Sequence, residues 1–351
     1  MKDFELVIVD ALYEQRKEYF KNADLPFKVK HIPALPNVWI ENGVSGMSTQ
    51  YNLGIIHADG ELLFVNGDSH MMLPDFMQKL WARYQEGYFP LAWYQYDNTF
   101  AKVLPMDLNP YTVVDSTKRT FDLAYPTQDV ESPFSYNILG YEGKKVTIEH
   151  RYSEAFKNNS RNIHFASWGW WFGCSSASLE AMLKINGFNQ MFDGDCALND
   201  CDVGSRIEMA GYGGRFALFR DIFLICASTQ VGEWNDNFKK NTITIKCNFP
   251  LLWMSRLRND YKANMNKIND ADINWITTVY CKKLCTIRKN CKKNYPWQYP
   301  FIHKSGPNHP PNSISSEELF DFWKEHQTVI DLTEERKLRK NGEKYQEGTF
   351  I

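Results

Sequence analysis

The chain has no cysteine before Cys174 and no apolar run approaching the ~20 residues that a bilayer-spanning helix needs. With eight cysteines in 351 residues, a disulfide-dense scaffold is excluded. Charge of one sign is also scarce. A formal net charge of −2 rules out a strong whole-molecule attraction to nucleic acid or an acidic membrane, although not a local patch. There is no internal repeat and no low-complexity tract, which removes solenoid arrays and disordered scaffolds. Met1-Lys2-Asp3-Phe4 runs straight into an apolar strand pattern without the layout of a secretory signal. The expectation is a cytoplasmic setting with reduced thiols, in which the sequon at Asn158-Asn159-Ser160 is only a polar loop.

What remains is ample material for a core. Hydrophobic residues make up 43% of the chain and aromatics 15%, against 23% charged. The first hundred residues alternate between strand-like and helix-like segments. Glu5–Asp10 is a short apolar run ending in an acid, Tyr13 to Asn22 is charged and helix-tolerant, and Phe27–Ile32 is a second strand candidate. Gly46–Ala58 reads as a helix, Glu61–Val65 as a buried strand, Pro74 as a helix opening, and Pro90–Tyr96 as a further strand. Such alternation argues for an α/β sheet with covered faces, in which ligands sit at the carboxyl ends of the strands. Asp10 and the Asn66-Gly67-Asp68 turn both fall at such ends.

Residues 98–162 lose the rhythm and read as an irregular insertion containing a β-prone Val146–His150. Beyond it, Ser175 and Ser176 suit the cap of a helix through Ile185, stopped by Asn186-Gly187. Asn199–Ala210 suits another helix, ended by Gly211, and Arg215–Phe219 a late strand. After about Val231 the composition turns Lys- and Asn-rich. The expected organisation is therefore a core over 1–230 and a mainly helical extension over 231–351, with a capping box at Ser315-Ser316-Glu317-Glu318.

Four constellations carry chemical interest. A carboxylate in the turn Asn66-Gly67-Asp68 suits Mg²⁺ or Mn²⁺, hard cations that prefer oxygen, yet the same residues are ordinary turn formers. Asp193 to Asp202 holds Asp193, Asp195, Asp200 and Asp202; the last two suit either a general base or the favourable end of a helix dipole. Trp168-Gly169-Trp170-Trp171 suits sugar stacking or plain core packing. Cys281, Cys285 and Cys291, with Cys247, His303 or His309, could supply zinc ligands, but close Cys-x2-Cys pairs are lacking and helix packing explains the spacing as well.

Two stretches together resemble the inverting family-2 glycosyltransferases. Asn52-Leu53-Gly54 and Ala58-Asp59-Gly60-Glu61, leading through Leu62–Val65 to Asn66-Gly67-Asp68, are similar to that family's helix, turn and strand before its acidic metal motif. Phe4–Asp10 resembles its second strand. Gly173 to Gly211, with Ile185-Asn186-Gly187-Phe188 and Asn199-Asp200-Cys201-Asp202-Val203-Gly204-Ser205-Arg206, resembles its galactosyltransferase-type segment. Together the two stretches span most of residues 4–220.

The resemblance implies a GT-A fold: a Rossmann-like, mostly parallel sheet with helices on both faces, here with a mixed or helical C-terminal extension. It also implies a UDP-sugar donor, Mn²⁺ or Mg²⁺, and transfer of a hexose to a hydroxyl acceptor with inversion. Asp10 would read the nucleotide base and Asp68 would bind the metal, with Asn66 in the place of the motif's first acid. Asp200 would be the catalytic base. Trp170 and Trp171 would border the donor or acceptor pocket, and Asp202 joins the donor-binding set. The family's first strand has no counterpart ahead of residue 4, and Asn199 stands where the family has Glu. Acceptors would range over glycans, protein hydroxyls and a hydroxylated DNA base. A binding module without turnover is the rival reading; a nucleotidyltransferase is a weaker one, because no Gly-rich phosphate loop bearing Lys or Arg lies near the start.

Overall fold

The computed structural model describes residues 4–36, 46–67, 70–72, 75–97, 146–148, 152, 155–156, 161–171, 173–193, 198–227, 251–274, 325 and 328–345. Over these the protein is mixed α/β, built from small sheets and helices that fall into two compact units. One unit is drawn from residues 62–178 and 214–235, the other from 2–61, 179–213 and 236–351. The units interleave along the chain, so the segments 251–274 and 328–345 belong with 4–36 and 46–61. No described helix is long and apolar enough to cross a membrane. The segment with Cys281, Cys285 and Cys291, the Ser315 capping box, and most of 98–162 lie outside the described residues.

The unit that holds the start of the chain opens with β1 (Glu5–Asp10), α1 (Tyr13–Asn22) and β2 (Lys28–Pro33), a right-length strand–helix–strand passage whose two strands pair in parallel. Asp10 closes β1, opposite Pro33 in the register. The next helix, α2 (Met47–His57), buries Asn52, Leu53, Ile55 and Ile56. Its amino end is preceded by Gly46, which has no side chain to cap it. Later come α4 (Leu179–Lys184), α5 (Asn199–Ile207), a helical stretch 251–258, α6 (Asp270–Asn274) and α7 (Leu332–Lys340).

Helix α7 holds the far end of α2. Arg336, 6% exposed, donates to the carbonyls of Ile55, Ile56 and Ala58, and Arg339 donates to His57 O at 2.7 Å. These carbonyls are the orphan acceptors of a helix carboxyl terminus, where cations are also favoured by the dipole.

The other unit contains β3 (Leu62–Phe64), β4 (His70–Met72), α3 (Phe76–Gln85), β5 (Phe89–Asp97), β6 (Val146–Ile148), β7 (Ile163–Phe165), β8 (Ser176–Ser178) and β9 (Phe216–Ala227). Strands β4, β9, β5 and β6 run side by side in that order, with β7 also on β9, while β3 and β8 form a separate pair. Its core is aromatic. Trp93, Phe89, Phe216 and Phe223 are each 0% exposed, and the Trp93 indole N–H donates to Phe219 O at 3.1 Å.

Of the described strand pairings, β1–β2 and β5–β9 are parallel, whereas β3–β8, β4–β9, β5–β6 and β7–β9 are antiparallel. Among the described residues one two-stranded sheet is parallel, one is antiparallel, and the five-stranded sheet is mixed. Some of these strands are not announced by the sequence pattern: β4, β7 and β8 have only three residues each, too few to show a period of two.

Two element readings need correction. Ser176 does not cap a helix: Ser176–Ser178 is a strand, because Ser176 pairs with Phe64 and its hydroxyl donates to Pro90 O at 2.8 Å, so the helix waits until Leu179. The late strand does not end at Phe219. The register between β5 and β9 shifts between Leu91 and Trp93, so that Phe219–Ile222 lie opposite Ala92 alone and the strand continues to twelve residues.

Candidate functional site

At the carboxyl end of β1, Asp10 is buried at 6% exposure. Its Oδ1 accepts the Leu12 N–H at 2.8 Å and Arg16 Nη1 at 3.3 Å, and its Oδ2 lies 2.9 Å from His31 Nε2. Burial pushes the carboxyl up, but the His31 and Leu12 hydrogen bonds and the Arg16 charge outweigh it and leave its pKa below the ordinary value. His31 itself is packed against the rings of Tyr13 (4.7 Å) and Phe20 (4.4 Å), and its Nδ1 is buried without a hydrogen-bond partner. The base-reading role expected for Asp10 would therefore have to use a carboxylate already served by three protein groups. Arg16, 40% exposed, is the member of that set open to solvent. Neither His31 nor Arg16 was marked by sequence reasoning; the parallel register that sets β2 beside β1 is a tertiary fact.

Helix α5 separates its two acids. Asp202 is 0% exposed, bonded to Arg206 Nε at 2.6 Å and approached by Ser255 Oγ at 3.5 Å. Desolvation outweighs the attraction of Arg206 and raises its pKa. This carboxylate is engaged in a buried ion pair. Asp200, two positions earlier in the first turn, is only half-buried, with Oδ1 accepting the Cys201 N–H at 2.7 Å. Leu198 before it has φ +71°, a left-handed backbone for a branched residue, at the point where the chain enters the helix.

A third acid of the same segment has a different task. Asp193, 1% exposed, accepts the N–H groups of Ser48 (2.7 Å) and Thr49 (3.0 Å) and the Thr49 hydroxyl, so it caps the amino end of α2 that Gly46 cannot. Desolvation pushes its pKa up to about 6 against these hydrogen bonds. Asp195 lies outside the described residues.

In the other unit, Asn66 follows β3. Its Oδ1 lies 3.6 Å from Cys174 Sγ, and that sulfur is 3.3 Å from His70 Nδ1, with His70 stacked on Tyr94 at 4.9 Å. Cys174 is 0% exposed. Asp68, the expected metal ligand, lies outside the described residues. Asn66 offers a carbonyl oxygen of the type that Mn²⁺ or Mg²⁺ accepts, and His70 is an imidazole two positions after Asp68 in the sequence. Among the described residues no group of three or more His, Cys, Asp or Glu side chains is arranged to hold a metal ion.

The two tryptophans part company. Trp171 is 1% exposed and its indole N–H donates to Ser176 O at 3.2 Å, which ties it into the core. Trp170 is half-buried in a 3₁₀ turn and stacks on His164 at 5.0 Å. The fold thus gathers Asn66, His70 and Trp171 around the 174–176 segment, while Asp10, Asp200 and Asp202 belong to the other unit. Compared with models of known protein families and with curated proteins, the chain matches none.

Proposed function

We propose that the chain is a glycosyltransferase that moves a hexose from a UDP-sugar to a hydroxyl acceptor with inversion. The observation that supports this reading is the division of labour on α5. Asp202 is sealed in an ion pair with Arg206, whereas Asp200, in the same helical turn, is only half-buried. An ion-paired neighbour fixes the helix end, and a half-buried acid in the same turn has the chemistry of a general base.

In the proposed step Asp200 takes the proton of the acceptor hydroxyl as its oxygen attacks the anomeric carbon. The bond from that carbon to the diphosphate breaks, and UDP leaves from the opposite face. By the resemblance, Asp10 would read the nucleobase and Trp170 would border the sugar. Asn66 and Asp68, with His70 nearby, are the residues that would hold Mn²⁺ or Mg²⁺, whose chemistry is to neutralise the departing diphosphate. Asp202 and Trp171 act in this scheme as supports and not as contacts.

The test is release of UDP from UDP-glucose, UDP-galactose and their N-acetyl forms, with Mn²⁺ and with chelator. Metal-dependent release that disappears in Asp200→Asn is the expected result. A folded protein inactive across the panel would sink the proposal. It would favour the second reading, a nucleotide- or carbohydrate-binding relative without turnover, which draws on the occupied carboxylate of Asp10 and on Asn66 and Asn199 standing where the family has acids.

A further inference from the structure

A cavity of about 390 Å³ lies beside the carboxyl-terminal half of α5, lined by Arg206, by the 251–258 helix and by the 260–272 segment. Its size falls within the range of small-molecule sites, roughly 300–1,000 Å³. The walls sort cleanly by whether their polar groups are already used. Arg206 is tied to Asp202 and to Asp260 O, and Arg258 is tied to Asp272 at 2.6 Å, so both guanidinium groups are spoken for.

The remaining polar groups are mostly donors. Lys262 and Lys267, both exposed at the cavity, form no ion pair or hydrogen bond among the described residues. Asn189 is 6% exposed; its Oδ1 accepts the Met191 N–H, while its Nδ2 has no acceptor among the described residues. Asn269 is alike, with Oδ1 accepting from Asp272 N; among the described residues its Nδ2 and the Asn266 amide make no hydrogen bond. Against these stands one carboxylate outside any described ion pair, that of Asp260. Two ammonium groups and three amide donors recognise an anion rich in acceptor oxygens. A single carboxylate and Met254, Met265 and Ile268 around the same space suit the hydroxyls and the carbon faces of a sugar ring.

We infer that this cavity binds an anionic sugar, the charge being a phosphate ester or a carboxylate. The site requires neither donor nor metal, so it stands apart from the transfer reaction proposed above.

The experiment is calorimetric titration of the full chain, without nucleotide or metal, with glucose 6-phosphate, glucuronic acid and glucose. One of the two anions should bind at least about tenfold more tightly than glucose, and which one does so identifies the charged group. Binding should weaken as salt is raised. Lys262→Ala/Lys267→Ala should weaken it about tenfold or more with the melting temperature unchanged, since both side chains are exposed. Asn189→Ala should weaken it as well. Equal binding of glucose, silence from both anions at about 10 mM, or undiminished binding by the double lysine variant would each overturn the inference. A chain that binds the anion yet releases no UDP would retain this site and lose the transferase reading.

Discussion

Asp193 and Ser48 meet across 145 positions of sequence, the Asp193 Oδ1 accepting the Ser48 backbone N–H at 2.7 Å. The contact supplies α2 with the cap that its own Gly46 lacks, and Arg336 and Arg339 close the other end of the same helix. A negative group at the amino end and positive groups at the carboxyl end both match the helix dipole. Helix α2 is therefore held at its termini by segments far from it in sequence.

Asp193→Ala should lower the unfolding free energy by about 2 kcal/mol, the combined cost of a lost cap and of buried donors left without acceptors. Chemical denaturation at neutral pH reads this directly. A change below about 0.5 kcal/mol would mean that the contact contributes little.

The same residue gives a pH dependence of definite sign. Its pKa in the folded protein, about 6, exceeds the ordinary aspartate value of 3.8, so the folded state holds the proton more tightly. The associated stability is fully present below about pH 4 and is lost as pH rises through about 6, on the order of 2–3 kcal/mol in all. His57 works over an overlapping range in the opposite sense. Burial, helped by the Arg339 charge, lowers its pKa to about 4, so its contribution is present above about 6.5 and is lost as pH falls through 4. The measurement is therefore the difference between wild type and Asp193→Asn at pH 4 and pH 7. Wild type should lose stability relative to the variant on going up; a flat difference would contradict the assignment.

Arg336→Ala should cost about 2–4 kcal/mol, because three carbonyls at the end of α2 lose a buried charged donor together. Arg336→Lys should recover only part of this, since all three carbonyls meet Nη1 at the tip of a planar guanidinium whose position a shorter, more strongly hydrated ammonium does not reproduce. Full recovery by lysine would show that charge alone matters there.

Gly187 follows the left-handed Asn186 and itself has φ +71°. A Cβ at Gly187 would come within 2.4 Å of Leu332 Cδ1 and closer still to Asn52 Oδ1. Asn52 is fully committed there, donating to Phe188 O and accepting from Phe188 N–H, each at 2.8 Å. Gly187→Ala should destabilise by about 3 kcal/mol or more, combining backbone strain with a clash against an engaged side chain. A denaturant midpoint equal to wild type would refute this packing.

The two acids of α5 should separate in a paired experiment. Asp202→Asn leaves Arg206 buried with its partner neutralised and should cost about 3–5 kcal/mol. Asp200→Asn should leave the melting temperature within a degree or two of wild type, a change of under about 0.5 kcal/mol, while removing sugar transfer. Loss of stability in Asp200→Asn comparable to that in Asp202→Asn would assign both residues to structure.

Much of the element order was legible from local pattern. Glu5–Asp10 is the strand that the apolar run announces, and Tyr13–Asn22 and the helix after Gly46 appear where charge and hydrophobic spacing place them. The stop at Asn186-Gly187 is read equally well, because a left-handed turn is a property of two adjacent residues. Asp10 at a strand end and the acids in the first turn of α5 likewise follow from short-range sequence alone.

What each of those acids does was decided elsewhere. Asp200 and Asp202 have the same chemistry and nearly the same sequence surroundings, yet burial against Arg206 and Ser255 makes one a structural ion and leaves the other half-exposed. Asp193 reads as one more acid of a cluster until the fold sets it over the bare end of α2. Trp170 and Trp171 are neighbours in the chain, and only packing sends the second into the core. Composition and spacing determine where a strand, a turn or a helix begins, because those choices rest on local backbone preference. Whether a carboxylate is a cap, a buried ion or an accessible base depends on which distant atoms desolvate it and which donors reach it, and that is fixed only when the chain has folded.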